Sequence, residues 1–111
     1  MTTPFEKLAD LDRLVHEPAR LAILSALSAC ESADFLFLHR ITGLSKGNLS
    51  SHVVRLEEAG LIVVSKEFVG RSPRTTVGLT QAGRERVTAH WSDLEQLARA
   101  ARRWRPTETP G

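Results

Sequence analysis

The chain has 111 residues, of which 41% are hydrophobic and 25% charged, as is ordinary for one soluble globular domain. Its apolar runs fall far short of the ~18 residues that suggest a membrane span. The N-terminus, MTTPFEKLADLDRL, lacks the basic and apolar blocks of a secretory signal, so we expect a cytoplasmic protein with no membrane partner. The single cysteine, Cys30, excludes an internal disulfide framework, and we expect it to be a small structural apolar residue.

The formal net charge of +2 is unevenly distributed along the chain. Residues 1–39 carry a net charge of −3, residues 40–86 carry +4 and residues 87–111 carry +1. The electropositive middle suggests a polyanionic partner, although a solvated basic surface is a common alternative.

Two helices are predicted before residue 30. The first extends from Pro4 to about His16, where apolar residues recur at helical spacing. The second begins at Pro18, because proline is tolerated in a first helical turn. The stretch from Ser28 to Ser32 is predicted to be a turn.

Two further helices form a predicted helix–turn–helix. A short apolar helix over residues 33–42 ends at Gly43, a natural C-terminal cap. Ser45 then offers an N-cap hydroxyl to the next helix, which Gly60 closes.

The fourth helix has an apolar stripe and an unusual opposite face. Leu49, Val53 and Leu56 recur at i, i+4 and i+7, as one buried helix face requires. Between them lie small residues that form helices less well than alanine, and glycine alone costs about 1 kcal/mol in a helix interior. These residues are Gly47, Asn48, Ser50 and Ser51.

After residue 60 the pattern changes to that of a β-hairpin. LIVVSKEFV (61–69) and TTVGL (75–79) are predicted strands, and GRSPR (70–74) is the turn, framed by Arg71 and Arg74. Thr80 caps a last helix from Gln81 to about Trp104, and the Pro-rich tail over 105–111 is predicted to be disordered. The fold class is therefore mainly α with a small β-hairpin, a winged helix-turn-helix domain over residues 1–104.

A helix–turn–helix explains the small polar face of the fourth helix. Its second helix enters the DNA major groove with the N-terminal residues nearest the bases, where small side chains permit close approach. Alternatively, these small residues simply lie in a frayed first turn of the fourth helix. Arginine in the wing suits the minor groove or nearby phosphates. The predicted DNA contacts are Ser45, Lys46, Gly47, Asn48, Ser50, Ser51, His52 and Arg55 in the helix, and Arg71, Ser72 and Arg74 in the wing.

The runs LSKGNLSSHVVRLEEAGLI and GRSPRTTVGLTQAGRE resemble winged-helix transcriptional regulators of the MarR and ArsR types, over roughly residues 10 to 90. The closest resemblance is to the small stand-alone winged-helix domains of bacteria and archaea. It implies a dimeric DNA-binding regulator, with residues 46–51 and Arg55 as recognition-helix contacts and Arg71 and Arg74 as wing contacts. His52 matches a histidine of ArsR-type recognition helices that positions the helix on phosphates. A half-buried histidine beside Val53 is the alternative.

No constellation of catalytic or metal-binding residues is found in the sequence. The four histidines lack metal-ligand spacing, and one cysteine cannot supply a soft metal site. No Gly-rich phosphate loop, paired-carboxylate site or nucleophile–base pair is recognised. We therefore expect no metal, no cofactor and no enzymatic activity.

The terminal helices carry apolar residues beyond what a small core needs. An a/d-type seam with steps of 4, 3, 4 and 3 residues runs along the last helix. Its members are Val87, Trp91, Leu94, Ala98 and Ala101. The apolar face of the first helix, with Phe5, Leu8 and Val15, either packs on this seam within the chain or joins it in a dimer interface. We predict the dimer, because two half-sites one DNA turn apart require a two-fold partner.

The sequence thus predicts a homodimeric, sequence-specific regulator that binds double-stranded DNA and represses by occlusion. A winged-helix protein-interaction module is an alternative from a different functional class. An effector-gated regulator, with a small-molecule pocket at the dimer interface, is a further alternative and is compatible with the main prediction.

Overall fold

The computed structural model describes residues 2–106 and confirms the winged helix-turn-helix fold. Five helices accompany a small antiparallel sheet in this part of the chain. The elements are α1 (Pro4–Ala9), α2 (Pro18–Cys30), β1 (Ser32–Asp34), α3 (Phe35–Thr42), α4 (Lys46–Glu58), β2 (Ile62–Val69), β3 (Ser72–Leu79) and α5 (Gln81–Arg103). Of the predicted tail, residues 107–111 lie outside the described residues, while Arg105 and Pro106 are exposed and follow α5.

The wing is a longer and tighter hairpin than the sequence predicted. Strands β2 and β3 pair from Ile62–Leu79 to Val69–Ser72, so the turn is two residues long rather than the five of GRSPR. Its first residue, Gly70, has φ +64°, which glycine adopts readily in such turns. The strand therefore includes Arg74, which lies opposite Glu67 instead of at the turn.

A third strand, β1, was not predicted. It pairs with β3, giving the sheet order β1-β3-β2, and it occupies residues expected to end a turn and begin a helix. Helix α2 continues through Cys30, and Glu31 then adopts φ +67° as the chain turns back. The Asp34 carboxylate accepts a hydrogen bond from the Leu36 N–H (2.7 Å), so α3 begins at Phe35. Cys30 is exposed, contrary to the expectation of a structural apolar residue.

Helix α1 ends well before His16, contrary to prediction. The Asp12 carboxylate accepts hydrogen bonds from the N–H groups of Leu14 (3.0 Å) and Val15 (3.4 Å), which stabilises a turn in place of further helix. The Arg20 side chain donates to the Leu14 carbonyl oxygen (2.6 Å) and holds this turn against α2. Polar side chains therefore fix a non-helical connection over residues 10–17.

The hydrophobic core lies between α2, α3, α4, the sheet and the first half of α5. Each fully buried aliphatic side chain contributes about 1.5–3 kcal/mol. The predicted stripe of α4 is confirmed, since Leu49, Val53 and Leu56 are buried. Val15 and Val87 are also fully buried in this core, so their assignment to a dimer interface was wrong. The largest fully buried side chains are Val15, Ile23, Leu24, Leu27, Leu38, Leu49, Leu56, Leu61, Val77 and Val87.

The wing and α5 meet in a close backbone contact. Thr80 caps α5 as predicted, accepting from the Gly83 N–H (3.0 Å) and donating to the Gly60 carbonyl oxygen (2.7 Å). A Cβ atom at Gly83 would lie 2.0 Å from the carbonyl oxygen of Leu61. Any larger residue at position 83 must therefore displace the backbone.

Two glycine-to-alanine substitutions should have opposite effects on stability. Gly83→Ala should lower the free energy of unfolding by about 2 kcal/mol or more, because a methyl group cannot fit beside the Leu61 backbone. Gly47→Ala should raise it by about 0.5–1 kcal/mol, because a Cβ there meets no atom within 4 Å. Urea denaturation of both variants measures the difference, and equal effects would contradict this account.

Two histidines link α5 to the connection between α1 and α2. Nδ1 of His16 lies 3.1 Å from Nε2 of His90, so one nitrogen donates and the other accepts, and at least one ring is neutral. His90 is only 4% exposed. Burial and the nearby charge of His16 lower the pKa of His90, and the opposing influence of the Asp12 and Asp93 carboxylates does not cancel this shift.

Stability should therefore fall in mildly acidic solution. Because the pKa of His90 is depressed in the folded state, the unfolded chain binds the proton more readily, and the free energy of unfolding declines as pH falls below about 6.5. Urea denaturation at pH 7.5 and 5.5 measures this loss, and His90→Gln should reduce it. Glu17 and Asp12 have lowered pKa values and do not titrate in that window. An unchanged pH dependence in His90→Gln would contradict the prediction.

Candidate nucleic-acid interface

Helices α3 and α4 form the predicted helix–turn–helix, with both predicted caps in place. Gly43 ends α3 in the left-handed conformation (φ +73°), and the Ser45 hydroxyl accepts from the Asn48 N–H (3.1 Å) to begin α4. Between them, Nδ1 of His39 donates to the Leu44 carbonyl oxygen (2.7 Å). These contacts fix the short turn that orients α4.

The front face of α4 presents its small polar residues outward. The side chains of Lys46, Asn48, Ser50, Ser51 and Arg55 are all exposed, unlike those of the buried stripe. Gly47 is exposed as well, and no packing contact within residues 2–106 requires a glycine there. The small front face therefore has no internal packing explanation at Gly47, and it leaves the helix backbone accessible to an external partner.

His52 faces inward from α4, in the half-buried environment that the sequence left as the alternative. Its side chain is 18% exposed, and Nδ1 lies 3.3 Å from NH1 of Arg20 and 3.7 Å from Oε2 of Glu17. Because a guanidinium only donates, Nδ1 of His52 accepts. The histidine therefore helps to hold α4 on α2.

His52 belongs to a cluster with Arg20 and Glu17, here called the Arg20 cluster. Arg20 is 8% exposed and also donates to the carbonyl oxygens of Leu14 and Arg13. Burial acts to raise the pKa of Glu17, but the backbone N–H groups of Arg20 and Ala19 at the start of α2 and the charge of the Arg20 guanidinium outweigh burial and lower it. This cluster was not predicted, although an arginine in the apolar run PARLAIL was a usable signal.

The two faces of the wing differ in chemistry. Cross-strand pairing places Lys66 beside Thr75 and Phe68 beside Pro73, on the same face as the buried residues of both strands. We call these four residues the inner wing face. Between this face and α4 lies a cavity of about 290 Å³. Its lining residues are Phe35, Ser50, Val53, Val54, Glu57, Val64, Lys66 and Thr75.

Arg74 lies on the opposite, outer face of the wing. It faces Glu67 across the hairpin, and its Nε is 3.4 Å from Oδ2 of Asp34. Arg71 is in the turn and exposed, with Ser72 exposed beside it. The prediction that both arginines flank the turn was therefore wrong for Arg74, whose charge is partly neutralised. Lys66 and Phe68 were not predicted as site residues, although they share the period-two face of Ile62.

Within residues 2–106, no three or more His, Cys, Asp or Glu side chains are grouped so that they could hold a metal ion. None of the helices in this range is long and apolar enough to span a membrane.

Comparison with known proteins places the chain in a family. Residues 19–98 match the family described as "Winged helix DNA-binding domain", and the chain belongs to this family. The fold and the family together define a winged-helix transcriptional regulator. A similar sequence is an uncharacterized protein of Methanocaldococcus jannaschii, which is 26% identical over 87 residues, covering 78% of this chain and 95% of that protein.

Solved structures of regulators share the fold. A transcriptional regulator homologue from Pyrococcus horikoshii OT3 is similar with a TM-score of 0.79 and 30% identity, covering 86% of this chain and 94% of that chain. A MarR family regulator from Silicibacter pomeroyi is similar with a TM-score of 0.65 and 21% identity, covering 92% of this chain and 65% of that chain. BpsR of Bordetella bronchiseptica is similar with a TM-score of 0.69 and 19% identity, covering 93% of this chain and 76% of that chain. The DNA binding of BpsR is regulated by 6-hydroxynicotinic acid.

Proposed function

We propose that this protein binds specific double-stranded DNA as a homodimer and represses transcription by occluding its operator. The observation that carries the proposal is the outward, small polar front face of α4, which the fold leaves open at Gly47 without a packing reason. Asn48, Ser50 and Ser51 can donate to or accept from base edges and phosphates once the helix backbone is close to the groove.

The basic residues around this face supply the attraction to phosphates. Lys46 is exposed in the first turn of α4, where the helix dipole also favours anions. Arg55 is exposed farther along the same helix, and Lys66 and Arg71 are exposed on the wing. Arg74 contributes less in this proposal, because Asp34 already lies beside it.

Binding to duplex DNA should weaken steeply with salt. With about six to eight phosphates neutralised by two protomers, the slope of log K against log salt should be about −5 to −7. Lys46→Ala or Arg71→Ala should each make the slope shallower, and Arg74→Ala should change it less. Fluorescence anisotropy with one labelled duplex at several salt concentrations measures these slopes. Arg99→Ala, an exposed charge on α5, is the matched control.

A flat salt dependence, or no retention on random duplex DNA, would rule out DNA as the partner. That outcome would favour the protein-interaction module, which needs no phosphate contacts.

The second half of α5 supports the homodimer. The buried residues of this helix all precede Trp91, which is 44% exposed. Phe5 of α1 packs edge-on against Trp104 within the chain, with ring centroids 5.2 Å apart. Despite this contact Phe5 is 46% and Trp104 40% exposed, so α1 and the second half of α5 keep accessible apolar surface. A second chain would cover the flank of α5 that comprises Trp91, Leu94, Ala98 and Ala101.

The native chain is expected to sediment as a dimer, and Leu94→Glu should shift it towards monomer. The substitution places one carboxylate from each protomer in the same apolar interface, where desolvation and repulsion oppose association. Thr88→Glu adds the same charge at an exposed position of α5 and should leave the dimer intact. Analytical ultracentrifugation measures the mass, and circular dichroism confirms that the variant is folded. A native monomer at micromolar concentration would contradict the dimer.

Effector gating is a second candidate, supported by a cleft between α1 and α5. Its volume is about 600 Å³, and it lies beside the connection that joins α1 to α2. BpsR provides a precedent, because its DNA binding responds to 6-hydroxynicotinic acid. The carboxylates in this cleft disfavour an anionic ligand of that kind. The lining residues are Lys7, Asp10, Leu11, Asp12, Asp93, Gln96, Leu97 and Ala100.

A further inference from the structure

We infer that Phe68 is an apolar wedge that the wing inserts into the DNA minor groove, partly unstacking one base step beside the segment read by α4. This inference rests on the proposed function, because it names how the wing of a DNA-bound protomer would act. The Phe68 ring would enter the minor groove of the same duplex that α4 binds.

Phe68 is the most exposed of the large hydrophobic side chains described, at 73%. It lies one residue before the end of β2 and opposite Pro73, so the ring stands next to a rigid residue near the two-residue turn. A phenylalanine in that position adds nothing to the core and exposes apolar surface to water. Burial against a partner would remove that unfavourable exposure.

The reach of the wing beyond α4 approaches the spacing between neighbouring DNA grooves. Val64, on the same face, lines the cavity beside α4. Phe68 is four residues farther along β2, or about 13 Å at 3.3 Å per residue. In B-DNA the minor groove lies about half a helical turn, roughly 17 Å, from the facing major groove. A protein with α4 in the major groove would therefore place the wing end near the flanking minor groove.

The neighbouring residues suit that groove. Arg71 is in the adjacent turn, and arginine is attracted to the negative potential of a narrow minor groove. Lys66 shares the inner wing face with Phe68 and is exposed to reach a phosphate. Phenylalanine is among the side chains that proteins insert between base steps from this groove, at the expense of stacking.

The outer wing face supplies a matched control. Val69 is adjacent in sequence and 52% exposed, but it points to the opposite side of the ribbon. If any exposed apolar residue near the turn aided binding, Val69→Ala would weaken binding as much as Phe68→Ala.

The experiment uses the full chain and a duplex selected by the native protein from random sequences. 2-Aminopurine is placed at successive steps flanking the major-groove site, so that unstacking raises its fluorescence. The native protein should raise the fluorescence at one step. Phe68→Ala should abolish the rise and weaken binding about tenfold, with an unchanged salt slope because no charge is lost. Phe68→Leu should keep most of the rise, and Val69→Ala should behave as the native protein.

Several outcomes would overturn the wedge. Binding and fluorescence of Phe68→Ala equal to those of Val69→Ala would do so while leaving DNA binding intact. Tighter binding by Phe68→Lys would show that the ring lies only near phosphates, and loss of the dimer in Phe68→Ala would show that a second chain covers it. If the native protein does not bind duplex DNA in a salt-dependent way, the proposed function fails, and the wedge fails with it.

Discussion

The buried guanidinium of Arg20 is the interaction on which the relative placement of the helices depends. It donates to two carbonyl oxygens of the connection between α1 and α2 and to His52 on α4, from a position inside α2. Removing it would leave partly buried acceptors without this partner and Glu17 without its nearest permanent positive charge. One side chain therefore joins the recognition helix to the segment that the C-terminal helix also contacts.

That segment links the two functional parts of the molecule. Asp12 accepts from Nε of Arg86 (3.0 Å) on α5, and His16 meets His90 on the same helix. The proposed DNA-reading helix and the proposed dimer helix are thus both held through residues 10–17, which form no regular helix. The cleft between α1 and α5 borders the same segment at Asp12. A ligand bound there would lie next to the segment that holds both α4 and the helix of the proposed dimer interface.

Long, strongly patterned elements of the fold could be predicted from the sequence, and elements set by side-chain hydrogen bonds could not. The stripe of α4, the caps at Gly43, Ser45 and Thr80, and the extent of α5 follow from periodicity and local chemistry. The early end of α1 depends on Asp12 and on distant Arg20, and β1 forms only because β3 offers a free edge. Asp12 acts within its own segment, but Arg20 and β3 lie outside the segments that they shape.

Some residues of the candidate site could likewise be predicted from the sequence, and others could not. Exposure of the α4 front face follows from the position of its apolar stripe, so those residues could be named from the sequence. The faces of the wing depend on register, and GRSPR gave no indication that the turn would be only two residues long. Arg74 was misplaced for that reason, and Lys66 and Phe68 were overlooked. Val15 and Val87 were misassigned because an apolar seam does not reveal which part of it the chain itself covers.

The wing is attached to α5 at its base, so a movement of the base produces a larger movement at its far end. The base of the hairpin is fixed at the start of α5, because the Thr80 N–H and hydroxyl donate to the carbonyl oxygens of Leu61 and Gly60. Gly83 also packs directly against the backbone of Leu61. Each strand is eight residues long, so the turn of the hairpin lies about 26 Å from this fixed base. If α5 and the sheet rotate together by about 5°, the end of the wing moves by about 2 Å, comparable to the difference between a formed and a lost hydrogen bond. Small adjustments at the C-terminal helix are in this way magnified at the far end of the ribbon.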